Sequence, residues 1–216
     1  MSGKRTSAKR ALALLSVLLA AARAIAAQPA PPAAAGYGAS HGSHAAPAAS
    51  TSSAAGMGGH HMTSSVKAAP VDVASADALL AAFYASISGP AGTPRDRDRF
   101  VSLFFPGARL LPAEGKGHSG TMPMQFSATT FLLGTQGNMV EAGFLEREIA
   151  RRSEAFGKVM HVWSTYEVRH AAGDEKPFVR GINSFQLFFD GKRWWIFGLV
   201  WQPETAQAPL PADMLR

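Results

Sequence analysis

Hydrophobic positions change their period along the chain. Leu80, Phe83, Tyr84 and Ile87 recur at helical spacing, which predicts an amphipathic helix over Ser75–Ser88 with Ser75 as its cap. "SGPAGTP" breaks it. Phe100, Leu103 and Phe104 share one side of a second, shorter helix over Asp96–Phe105, which Pro106-Gly107 ends. "ARLLP" reads as a short strand, "AEGKGHSGT" as loop and "MPMQF" as a second short strand. "SATTFLL" offers a third helix with Ser127 as cap.

Beyond Phe144 the pattern turns to β. "FLEREIARRSEAF" alternates loosely, but its Ala, Glu and Arg content suits a helix equally. "KVMHVWSTYEVRH" is β-branched and aromatic, hence strand. Phe178–Phe189 and Trp194–Gln202 form a hairpin across Asp190-Gly191. Helices first and antiparallel strands afterwards predict an α+β domain, with helices on one face of a curved sheet.

Residues 1–27 read differently. Lys4, Arg5, Lys9 and Arg10 precede an apolar run, Ala11 to Ala22, and small residues follow. That is a signal-peptide pattern, and a run of about 12 residues is too short to span a bilayer. The chain is therefore expected to be exported, periplasmic or secreted, with no membrane association after cleavage. Residues 28–74 are rich in Ala, Gly, Ser, Pro and His, and lack any period. They are expected to be a disordered linker. The folded domain is expected over 75–206, with a tail over 207–216.

Charge then loses its first meaning. The net charge is +6, but six of the 21 basic residues and only one of the 15 acidic ones lie within residues 1–76. The remainder is near balance and carries no basic stripe, so no nucleic-acid partner is expected. The chain has no Cys, which excludes a disulfide scaffold and a Cys-ligated metal site. Within the linker, His41, His44, Met57, His60, His61 and Met62 are copper-suited ligand types, but their spacing matches no closed site. No metal and no cofactor are expected. Neither a phosphate loop nor a dinucleotide fingerprint nor a Ser-His-Asp order occurs.

Two amphipathic helices, "SLFFPGARLLP", and a closing hairpin on "DGKRWWIFGLVWQPE" together resemble the nuclear transport factor 2-like superfamily, in its SnoaL-like and ketosteroid-isomerase-like branches. The resemblance covers Asp77 to Glu204. It implies a cone: a curved antiparallel sheet wrapped around N-terminal helices, enclosing a pocket, in a superfamily of both enzymes and binding modules. Many members form homodimers through the sheet. The isomerase branch's oxyanion tyrosine would fall on Phe83 or Tyr84. Its base would fall on Leu111 or Pro112, so the nearest carboxylate is Glu114. Its second donor would fall near Ser184–Gln186. The base position thus departs from the isomerase pattern.

Strand parity assigns faces. An even turn at Asp190-Gly191 puts Arg180, Ile182, Ser184, Gln186 and Phe188 on one face with Trp195, Phe197, Leu199 and Trp201, and the resemblance makes that face the pocket. Asn183, Phe185, Leu187, Trp194 and Ile196 then point outward. A three-residue turn with a bulge would exchange these partners. On the preceding strand, His161, Trp163 and Glu167 share a face, so His161 and Glu167 are the candidate acid–base pair beside Arg180. A packed His and a cross-strand Arg180–Glu167 pair is the alternative. Glu146 and Glu148, beside Arg147, Arg151 and Arg152, read as a solvated charge network. Tyr84, His161, Trp163, Arg180, Ser184, Gln186, Trp195, Phe197 and Trp201 are the candidate pocket residues.

Three functions fit these expectations: a pocket protein for a small, largely apolar molecule; a lyase or isomerase using the pocket's polar groups; or a structural homodimer whose cavity its own side chains fill. Amino-terminal sequencing of the exported protein is expected to begin at Ala27 or Gln28. An intact Met1 in the soluble exported fraction would refute processing.

Overall fold

The computed structural model describes residues 66–114 and 124–216. The expected signal peptide, His60 and His61 of the expected linker, and the glycine-rich segment around Gly117 lie outside the described residues. Among the described residues, four helices and five strands follow in order. They are α1 (Pro70–Val73), α2 (Ala76–Ile87), α3 (Arg97–Ser102), β1 (Phe104–Pro112), α4 (Ala128–Ala142), β2 (Leu145–Phe156), β3 (Val159–Arg169), β4 (Val179–Phe189) and β5 (Trp194–Pro203). A short 3₁₀ turn, Ala212–Met214, follows.

The helices start where the sequence supplies caps. Ser75 accepts from the Ala78 N–H at 3.0 Å, and Asp96 accepts from Arg99 N–H at 2.9 Å. At α4, Ser127 and Thr130 form a reciprocal capping box. The predicted stripe of α2 is wholly buried: Leu80, Phe83, Tyr84 and Ile87 all enter the core. Phe83 meets Phe185 edge-on with ring centroids at 5.0 Å, and Phe131 of α4 meets Trp201 at 5.5 Å.

The strands form one sheet in the order β1-β5-β4-β3-β2. It is curved and unclosed, with the helices against its inner face. The fold is α+β as expected, with one addition. β1 starts earlier than expected, at Phe104, and joins β5 in parallel, while every other pairing is antiparallel. In the described part of "MPMQF", Phe126 forms an isolated bridge to Leu110. The ambiguous "LEREIARRSEAF" is strand β2, because its partner β3 pairs with it along its whole length.

The expected linker boundary at residue 74 moves. Ala68 and Val73 are buried, and Asp72 receives two hydrogen bonds from the Arg99 guanidinium, at 2.8 and 2.9 Å. That contact spans 27 residues, so local composition could not reveal it. At the other end the tail folds back over the sheet's outer face. Thr165 donates to the Met214 carbonyl, and Arg152 faces Asp213 at 3.4 Å.

Removing residues 1–74 is expected to lower stability by about 2–4 kcal/mol relative to removing 1–65, through loss of the Asp72–Arg99 fork and of Val73 burial. Urea denaturation of the two truncations checks this, and equal midpoints would refute it.

Candidate functional site

The hairpin decides which side chains enter the cone. The turn is even: Phe189 pairs Trp194 and Phe188 pairs Trp195 across Asp190–Arg193. Asp190 holds it, accepting from the N–H groups of Lys192 and Arg193 and from the Trp195 indole N–H. Further along, the register shifts. Leu187 pairs Ile196, but Gln186 pairs Gly198, so Phe197 is an extra residue in β5. This bulge inverts the facing of everything beyond it. Phe185 then pairs Leu199 and Asn183 pairs Trp201, and all four are buried.

The expected pocket face is corrected accordingly. Ser184, Gln186, Trp195 and Phe197 lie on the outer face, with Phe197 55% exposed. On β3 the buried Val162, Ser164, Tyr166 and Val168 face inward. His161, Trp163 and Glu167 therefore also point outward. His161 Nε2 lies 2.9 Å from Ser184 Oγ and packs edge-on against Trp163 at 4.8 Å. Glu167 accepts from Arg147 at 2.7 Å and Arg169 at 3.1 Å, which hold its carboxyl below the usual range against the opposing effect of burial. Arg180 pairs Glu204 at 2.8 Å. The structure does not bring His161 and Glu167 together as an acid–base pair.

Inside the cone lies a cavity of ≈ 50 Å³. Phe83 and Ile87 of α2 and Phe131, Thr135 and Met139 of α4 form one side. Leu199 and Trp201 of β5, Val168 and Tyr166 of β3, and Phe144, Phe178 and Val179 form most of the other. Trp201 is thus a candidate that does line it. Two polar side chains, Glu146 of β2 and Asn183 of β4, complete the lining beside Tyr166 and Thr135. Thr135 is occupied: it donates to the Phe131 carbonyl of its own helix at 2.8 Å.

Asn183 connects these groups. Its amide donates to Glu146 Oε1 at 3.0 Å and to the Tyr84 hydroxyl at 3.1 Å. Tyr84 and Ser164 hydroxyls lie 2.6 Å apart. Glu146 is fixed through its backbone as well, because its N–H donates to Ser88 Oγ while Ser88 Oγ donates to its carbonyl, both at 2.9 Å. Burial pushes the Glu146 carboxyl up to about 7, and donation from Asn183 only partly opposes it. Burial likewise raises Tyr166, with the nearby Glu146 adding to the rise.

Glu146 was read from sequence as part of a solvated charge network. Glu148 and Arg151 fit that reading, since Arg151 bridges Glu148 and Asp77. Glu146 does not, because it pairs Val168 and shares that residue's inward face. Alternation along β2 separates it from Arg147, a signal that becomes usable once β2 is known to be a strand. Tyr84, at the isomerase oxyanion position implied by the resemblance, sits in the network behind the cavity wall. Glu114 is exposed and accepts from Gln202. Among the described residues no group of three His, Cys, Asp or Glu side chains could hold a metal.

No protein-family model and no curated protein matches the chain. Solved structures do. A cystatin-like-fold protein of unknown function from Nostoc punctiforme is 10% identical, covers 59% of this chain and 87% of its own, and has a TM-score of 0.45. An NTF-2-like protein of unknown function from Silicibacter pomeroyi is 15% identical over 61% of this chain and 94% of its own, at 0.40. A protein described as a "putative ketosteroid isomerase", from Parabacteroides distasonis, is 10% identical over 61% of this chain and 89% of its own, at 0.42.

A carboxyl that ionises near 7 when folded and near 4.5 when unfolded gives a definite sign. The stability of its neutral form is fully present below pH 4.5 and is lost as pH rises through about 7. Glu146→Gln is therefore expected to match the parent at pH 4 and exceed it at pH 8 by up to about 3 kcal/mol. Urea denaturation at both pH values checks this; a variant less stable at pH 8 would refute it.

Proposed function

We propose that this is an exported pocket protein that binds a small, largely apolar molecule in the cone cavity, with the ligand's polar end at Glu146 and Asn183. The carrying observation is the lining itself: a mostly aromatic and aliphatic wall with one carboxyl–amide pair convergent on it. A volume of ≈ 50 Å³ suits only a few heavy atoms at the cavity's centre. A steroid-sized ligand would need the walls to part. The same lining disfavours the reading of a structural homodimer with a filled cavity.

Self-association belongs to this reading as a separate surface. Phe105, Phe197 and Val200 are exposed on the outer face near β1 and β5, where a second copy would cover them.

A second reading, a lyase or isomerase that moves a proton, is favoured by Glu146. A carboxyl near 7 is poised to take or give a proton at neutral pH. The two readings part at Glu146→Gln, which removes turnover in one and only binding strength in the other.

Native mass spectrometry of the protein purified from its source is expected to show a small adduct that denaturation releases. A bare polypeptide mass in every preparation would overturn the binding reading.

A further inference from the structure

The cavity's charge is unbalanced. Glu146 lines it, and among the described residues no Lys, Arg or His does. The neighbouring basic side chains are engaged elsewhere. Arg147 reaches Glu167 on the outer face, Arg151 bridges Glu148 and Asp77, and Arg95 donates to the carbonyls of Ile87, Gly89 and Met139.

The groups packed around the carboxyl are neutral or acidic. β4 offers Asn183, α2 and its C-terminal end offer Tyr84 and Ser88, and β3 offers Tyr166. α4 offers Thr135 and Met139 to the same cavity. Glu148, two residues along β2, adds negative charge. The remaining wall includes the rings of Phe131, Phe144, Phe178 and Trp201. Aromatic faces carry partial negative charge and attract cations.

We propose that the cavity takes a small organic cation, an alkylammonium whose N–H groups meet Glu146 and whose short chain lies against the aromatic wall. This rests on the binding reading above and adds the charge of its occupant. An anion would meet the carboxylate head-on. A neutral alcohol could donate one hydrogen bond but would leave the buried charge uncompensated. An ammonium supplies donors and countercharge together.

The small cavity sets the probe. n-Propylammonium has a neutral counterpart in 1-propanol, and the affinity of so few heavy atoms is on the order of millimolar. The amine stays charged below about pH 10, so affinity follows the ionised fraction of Glu146. With that carboxyl near 7, affinity for propylammonium is expected to rise about tenfold from pH 6 to pH 8.

The full chain is titrated with both probes at both pH values, following the Trp201 indole by NMR. The expected result is tighter binding of propylammonium than of propanol, the tenfold rise with pH, and loss of both features in Glu146→Gln. Propylammonium affinity that is flat with pH, or no better than that of propanol, overturns the cation assignment and leaves the binding reading standing. If neither probe moves Trp201, both fall. The pH profile of the unsubstituted protein decides the question even where the variant does not fold.

Discussion

The Asn183 side-chain amide holds the interior together. Its two N–H groups reach β2 through Glu146 and α2 through Tyr84, and Tyr84 passes the connection to β3 through Ser164. Four elements far apart in sequence thus meet at one amide. In surroundings this apolar, each of these polar atoms must find a partner within the protein, and losing one would strand the others at about 1–3 kcal/mol each. The described residues contain no buried side-chain nitrogen or oxygen without a partner. The network also settles where the polar end of the cavity lies, since Glu146 is pinned from its backbone by Ser88 and from its carboxyl by Asn183.

Much of the fold was legible because its signals are local. The α2 stripe, the Ser75 and Ser127 caps and the Asp190-Gly191 turn each declare themselves within a few residues. β2 was not, because its Glu, Arg and Ala content suits a helix, and only pairing with β3 selects the strand. The start of the domain was hidden for a similar reason: Asp72 belongs to it through Arg99 alone. At the site, Trp201 and Tyr84 could be named from the sequence, while Asn183 and Glu146 could not. Asn183 was turned outward by an alternation that assumed an uninterrupted strand. Glu146 was masked by the arginines around it.

Glu146 is costly where it stands. Burial opposes its charge, no cation among the described residues lines the cavity with it, and a glutamine could keep the bond from Asn183 without that cost. Structural needs alone favour the replacement. A residue that breaks the local rule for a stable core marks the place where a fold gives up stability for something else. The outward His161 and Glu167 show the contrast. Their polar atoms are satisfied by ordinary partners, Ser184 in one case and two arginines in the other, and nothing about them is strained.

The extra residue in β5 works like a shift in reading frame. Up to Ile196 the strand is written in one phase and from Leu199 in the other, so the inward letters are neither all odd nor all even. The bulge therefore sets the phase: without it, the same letters in unbroken alternation would turn Leu199 and Trp201 out to solvent and bring Val200 inside. Deleting Phe197 would remove the bulge and leave Gly198 opposite Gln186, with Leu199 and Trp201 still inward. A lineage could exchange the side chain at Phe197, or lose that residue, and keep its cavity, but a further residue added here would keep it only where the strand bulges again to absorb it.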